Sequence, residues 1–413
     1  MIRLVLIALL ALNALPGRAW AEAAPVFSDT GPDADAYGAK DGYPIGTRQA
    51  HGSQETLVGA YSHYDELRPS RAIAAPAVAS VLARAPEELK LTYEFEGHTY
   101  TIGDYLNRNP ATGLLILRDR TIQFEHYQYA RTDKDRFTSQ SMAKTIVATL
   151  VGLAVADGTI HSIDDDVSVY VPELAGTAPG NTPLRALLHM ASGLRFHEVY
   201  DGKDDIMRLS RSLMQPDSAG PVAAVAQFDV RVAKPDTVFN YAGVDTELLG
   251  LVVARATKMS LSDYTAKRLW APIGAEAPAS WLIDGSGHEI AYCCFNAVLR
   301  DWGRFGALLA HDGAWNDKQI IPKQWLLDAT TVQEPFLAPG AGGRRFGYGY
   351  QVWLMPGDHH QFALRGIYGQ TIMIDPGSQT VLVHTAVRPK ATNNVGEAEL
   401  TALWTALVAH NGS

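Results

Sequence analysis

The sequence predicts an α/β chain of the α+β kind: one antiparallel sheet drawn from both chain ends and flanked by helices, with a mostly helical insert between. Three observations predict it. Runs rich in β-branched and aromatic residues occur early, at residues 113–129, and late, at 348–387, parted by turn-forming Asp, Gly and Pro. The middle third carries apolar residues at helical spacing. An amphipathic stripe of Leu400, Leu403, Trp404, Leu407 and Val408 closes the chain over residues 397–410.

Composition fits a folded protein with a sizeable core. Of 413 residues, 47% are hydrophobic and 19% charged, so the chain is neither disordered nor fibrous. Its length suggests two or three structural units. The net charge is −9, with no basic run able to follow a phosphate backbone, which argues against nucleic-acid binding.

Residues 1–21 have the layout of a cleaved secretory signal: Arg3, an apolar stretch over 4–15, Pro16-Gly17, then Ala19-Trp20-Ala21. The apolar stretch is too short for a stable membrane anchor, so a periplasmic or secreted protein cut after Ala21 is expected. Residues 22–90 are rich in Gly, Pro, Ser and Asp and read as an extended leader on the surface. Residues 113–118 and 123–129 form a hairpin about Asp119-Arg120-Thr121. A long apolar helix over 141–157 ends at Gly158. Strands are expected at 348–354, 362–374 and 380–387. The expected division is a sheet domain of 91–165 with 300–413 and a mainly helical domain of 166–299.

Cys293 and Cys294 are the only cysteines. Adjacent cysteines rarely reach disulfide geometry, and two of them without further soft ligands make no zinc site, so both are expected as core residues. No metal and no cofactor are expected.

One residue breaks the pattern. Between Met142 and Ala156 the only charge is Lys144, set in a segment apolar on nearly every face. Desolvation there disfavours the ammonium form. Ser141 lies one turn earlier on the same face. A hydroxyl within reach of a desolvated amine is an activated nucleophile, and the helix N-terminus adds a free amide that can hold an oxyanion.

This SxxK at the head of a buried helix resembles the penicillin-recognising serine hydrolases, which include class C β-lactamases, D-alanyl peptidases and related esterases. The segments 139–144 (SQSMAK), 187–194 (LLHMASGL), 239–241 (FNY) and 366–370 (GIYGQ) look most like the branch of aminohexanoate-dimer (nylon-oligomer) hydrolases. The resemblance covers about residues 110–410. It implies a β-lactamase/transpeptidase-like fold and an acyl-enzyme mechanism. Ser141 would be the nucleophile, Lys144 the base and Tyr241 the proton relay, with the amides of Ser141 and Ile367 as oxyanion donors.

The resemblance also implies substrate contacts from Tyr200, Asn296, Arg365, Gly366 and Tyr368. Two departures matter. Gly243 stands where β-lactamases carry Asn, and the KTG lysine that seats a penicillin carboxylate is missing, Arg365 being the nearest cation. The resemblance therefore points to a cofactor-free hydrolase of small esters or linear amides. The alternatives are a D-alanyl carboxypeptidase or β-lactamase, and a non-hydrolytic penicillin-binding sensor. The oligomeric state is not readable.

Overall fold

The structure, a computed structural model, describes residues 23–50, 52–392 and 394–412. The expected signal segment, residues 1–21, lies outside the described residues.

The leader is more than a surface wrap. It contributes β1 (Val26–Phe27), helix α1 (Gln54–Ser62) and β2 (Ser70–Ile73). Leu57, Val58, Ala60 and Tyr61 of α1 are buried. Gly59 lies so close to the backbone of Tyr43 and Pro44 that a Cβ would meet their carbonyl oxygens at 2.5 Å. Local composition hid this because the partners of these residues are distant in sequence.

The expected hairpin is β3 (Ala111–Arg118) and β4 (Thr121–Tyr127). Asp119 and Arg120 both take positive φ, 44° and 61°, the turn whose twist matches antiparallel strands. A short strand β5 (Phe137–Thr138) leads to the long apolar helix, α2 (Ala143–Ala156). Twelve of its fourteen residues are buried, as expected of a helix apolar all round. The helical middle contains α3 (Gly243–Thr257), packed on α2, and then β6 (Ala279–Leu282) and β7 (Phe295–Ala297). Helix α4 (Leu299–Ala310) follows.

Late in the chain come β8 (Gly347–Tyr348), β9 (Trp353–Leu354), β10 (Phe362–Gly366), β11 (Gln370–Asp375) and β12 (Thr380–Ala386), then helix α5 (Asn394–Asn411). Two expected strands are therefore hairpins. Residues 348–354 double back between β8 and β9. Residues 362–374 double back through Ile367–Gly369, where Tyr368 and Gly369 take φ of 62° and 96°.

Among the described residues the main sheet runs β1-β4-β3-β12-β11-β10-β9-β8, with Ala83–Arg84 also paired to β4. A second sheet runs β2-β6-β7-β5. Both faces of the main sheet are covered, which explains the near-continuous apolar runs in its strands. On β12, Val381 and Val383 face α4, while Leu382 faces Leu403 and Trp404 of α5. Helix α4 lies directly on the strands: a Cβ at Gly303 would sit 2.6 Å from Leu115, and one at Gly306 2.5 Å from Val381. The C-terminal end of β10, at Gly366, is thereby brought against the turn that opens α2.

Candidate active site

Ser141 lies in the 3-10 turn Gln140–Met142 that opens α2. The turn is tied to β7 through Ser139, the residue before it. The Ser139 amide donates to the Phe295 carbonyl at 2.7 Å, and the Phe295 amide donates to Ser139 Oγ at 3.0 Å. Gln140 takes φ 43°, left-handed backbone that costs a side-chain-bearing residue about 1 kcal/mol, so the turn is held by its neighbours rather than by its own preference.

Lys144 is 2% exposed. Its Nζ donates to Ser141 Oγ at 3.1 Å and to the Tyr292 carbonyl at 2.9 Å. It also sits 5.1 Å from the Tyr241 ring centroid and 5.5 Å from that of Tyr292. Burial lowers the amine to about 8, against the opposing pull of the Glu198 and Glu247 carboxyls. A sizeable neutral fraction near neutral pH is the state a proton acceptor needs.

Tyr241 precedes α3 by two residues. Its ring stacks on Trp353 (centroids 5.5 Å, planes 25° apart) and meets Tyr348 edge-on. Burial and the Glu198 charge hold its phenol well above the ordinary range, while a hydrogen bond with the Ser141 side chain pulls it down. The resting group is a protonated phenol, able to donate a hydrogen bond, rather than a free phenolate.

Across the cleft, β10 carries Arg365 and Gly366, and the turn carries Ile367. Gly366 is required by clearance. A Cβ there would fall 2.6 Å from the Ser139 carbonyl oxygen and 2.9 Å from Gln140 Cβ. Only a bare backbone lets the strand pass beside the nucleophile turn. Ser141, Tyr200, Tyr241, Arg365, Gly366 and Ile367 line one cavity of about 290 Å³.

Two expected contacts lie elsewhere. Asn296 is fully buried on β7, paired in register with Thr138, and its amide donates to Ser280 Oγ and the Cys294 carbonyl, both at 3.1 Å. It braces the strand behind the nucleophile instead of facing the cleft. Tyr368, in left-handed backbone at the turn between β10 and β11, packs edge-on against Tyr61 of the leader, centroids 5.4 Å apart. Arg365 does line the cavity, but as half of an ion pair: its Nη2 lies 2.6 Å from Glu397. It is a neutralised cation, unlike the lysine of a KTG strand.

The cysteines also differ from expectation. Cys293 and Cys294 are buried, and they are joined by a disulfide. Cys294 takes φ 70°, a backbone state that general statistics disfavour and that brings the neighbouring sulfurs together.

Sequence reasoning missed Glu198. Its Oε1 accepts the Tyr200 hydroxyl at 2.8 Å and its Oε2 accepts the Gly243 amide, at the start of α3, at 2.7 Å. Burial raises this carboxyl, while Lys144 lowers it. The one available signal was its position two residues before Tyr200, and a polar loop context masked that. Trp353, which also lines the cavity, was visible only as a strand residue. The Tyr292 carbonyl, a backbone group, leaves no trace in a sequence.

Comparison with known proteins identifies the family and the fold. The family model described as Beta-lactamase matches residues 102–403. The 6-aminohexanoate-dimer hydrolase of Paenarthrobacter ureafaciens is 24% identical over 286 residues, which is 67% of this chain and 72% of that protein. Among solved structures, a Bacillus anthracis protein assigned as a 6-aminohexanoate-dimer hydrolase superposes with a TM-score of 0.80 at 23% identity. That match covers 88% of this chain and 97% of the other. A D-stereospecific amidohydrolase from Streptomyces sp. superposes with a TM-score of 0.51 at 18% identity, covering 70% and 93%. These structural likenesses carry the fold, and the family match spans well over half the sequence. The chain belongs to the β-lactamase family of serine hydrolases and is similar within it to 6-aminohexanoate-dimer hydrolase.

Proposed function

We propose that this protein hydrolyses small linear amides or esters, of the aminohexanoate-dimer kind, through an acyl-enzyme on Ser141. The observation that carries the reading is a single contact: a buried amine, lowered to about 8, lying 3.1 Å from a half-buried serine hydroxyl that opens into a cavity. Neutral Lys144 accepts the Ser141 proton as Oγ attacks the carbonyl carbon. The amides of Ser141 and Ile367 receive the oxyanion. Tyr241 passes the proton to the leaving nitrogen or oxygen as its bond to carbon breaks. Water then attacks the acyl carbon while its proton passes to the same Lys144 and Tyr241 pair; the bond from that carbon to Ser141 Oγ breaks, Oγ takes the proton back, and the acid leaves.

The cavity favours a slim substrate, walled by Tyr241, Trp353 and Tyr200. The ion-paired state of Arg365 argues against capture of a penicillin carboxylate by that group. Export, suggested by the layout of residues 1–21, belongs to the same proposal and would place the substrate outside the cytoplasm. No metal or cofactor enters any step.

The test is a panel of p-nitrophenyl esters, nitrocefin and the aminohexanoate dimer, with wild type and Ser141→Ala. Ester or dimer hydrolysis and fluorophosphonate labelling are expected of wild type and absent from the variant. Retention of both by Ser141→Ala would defeat the assignment.

A further inference from the structure

The segment from Ile290 to Ala297 grips the Lys144 side chain and the start of the turn that carries Ser141. The Tyr292 carbonyl receives Lys144 Nζ at 2.9 Å, and three residues later Phe295 exchanges backbone and side-chain hydrogen bonds with Ser139, two residues before the nucleophile. The residues between these two grips are Cys293 and Cys294, and they are bonded to each other. The indole of Trp281 fixes the outside of the same bend, donating to the Ile290 and Cys293 carbonyls at 2.9 Å each.

We propose that the Cys293–Cys294 disulfide is a positioning element of the active site, setting the spacing between Lys144 and Ser141 by closing a small ring between their two anchors. With the bond open, the peptide between the cysteines regains backbone freedom, and the Tyr292 carbonyl is no longer held in step with Phe295. The amine and the hydroxyl then sample separations at which a proton does not pass. A displacement near 1 Å at a reacting pair costs on the order of 10- to 100-fold in rate. The side chains and backbone that wall the substrate, Tyr200, Tyr241, Trp353 and Gly366, lie outside this segment and are left in place. The role rests on the hydrolytic reading of the same site.

The test begins with the bond. Protein purified without reductant and unfolded in iodoacetamide is expected to take no label, and to take two after treatment with a phosphine. The Cys293→Ser/Cys294→Ser double variant is then expected to lose about tenfold in kcat with KM within about twofold, and to show faster amide hydrogen exchange at residues 139–142 and 292–296 than elsewhere. Should the double variant not fold, native enzyme held in dithiothreitol supplies the comparison. The S–S bond breaks, each sulfur takes one hydrogen, and the reagent closes to its own cyclic disulfide. The reduced protein, identified by its gain of two hydrogens in mass, is expected to show the same kcat loss and the same local exchange.

Two labels without reductant, or unchanged kcat and exchange after loss of the bond, overturns the proposal. If oxidised wild type neither turns over ester nor reacts with fluorophosphonate, the hydrolase reading fails instead, and exchange at 139–142 still reads the positioning.

Discussion

The two walls of the cleft are built in different ways. The nucleophile wall is a continuous stretch of chain, Ser139 to Lys144, whose geometry comes from a helix start and from backbone bonds to Phe295 and Tyr292. The opposite wall is a hairpin turn, Gly366 to Gly369. It is placed by the absence of a side chain at Gly366 and by packing of Tyr368 on the leader's Tyr61. One wall supplies chemistry from within a short motif. The other supplies an approach distance, assembled from parts of the chain about three hundred residues apart. A change to the first should strike proton transfer, and a change to the second the stabilisation of charge.

Lys144→Ala breaks the first wall most severely. It removes the proposed proton acceptor and leaves the Tyr292 carbonyl without its donor, and kcat is expected to fall by about 10² to 10⁴. Steady-state kinetics on a p-nitrophenyl ester checks this, and an unchanged kcat would show that the lysine only packs. Gly366→Ala tests the second wall. Its Cβ cannot coexist with the Ser139 carbonyl 2.6 Å away, so β10 must retreat and carry the Ile367 amide with it. A loss of about 10² to 10³ in kcat is expected, the usual worth of one oxyanion donor, with the acid limb of the pH profile unmoved. A shift of that limb would mean that the two walls are not separable.

Glu198→Gln is the gentlest change and sharpens the contrast. The Glu198 charge favours the ammonium form of Lys144, so its removal lowers the lysine further. The neutral amine then persists to lower pH, and the acid limb of kcat/KM should move down by less than about one unit. Movement upward, or none, would remove Glu198 from the electrostatics of the base.

The same contrast explains what was legible in the sequence. Lys144 could be read because a lone charge in an apolar helix violates a local pattern, and Ser141 followed from spacing. The β3–β4 hairpin was read within a few residues because its turn is polar and its strands are β-branched. The β10–β11 hairpin read as one strand because Ile367 and Tyr368 carry no turn signal, and Tyr368 occupies left-handed backbone against its own preference. Helix α1 was lost in a leader of small residues whose burial depends on Tyr129 and Val387 far along the chain. Tertiary context likewise joined Cys293 to Cys294 and turned Asn296 inward, and neither follows from local rules. The fold class survived these losses because alternation in the strands and all-round burial of α2 do not depend on exact boundaries.

The pH dependence of kcat/KM tests the account at its centre, since it reads the ionisation of the free enzyme. Lys144 must be neutral to accept the serine proton. Activity should therefore rise tenfold per pH unit on the acid side and level off above about 8, the value to which burial brings the amine. A profile flat from pH 8 down to about 6 would mean that no group ionising there serves as the base, and Lys144 would lose its place in the chemistry.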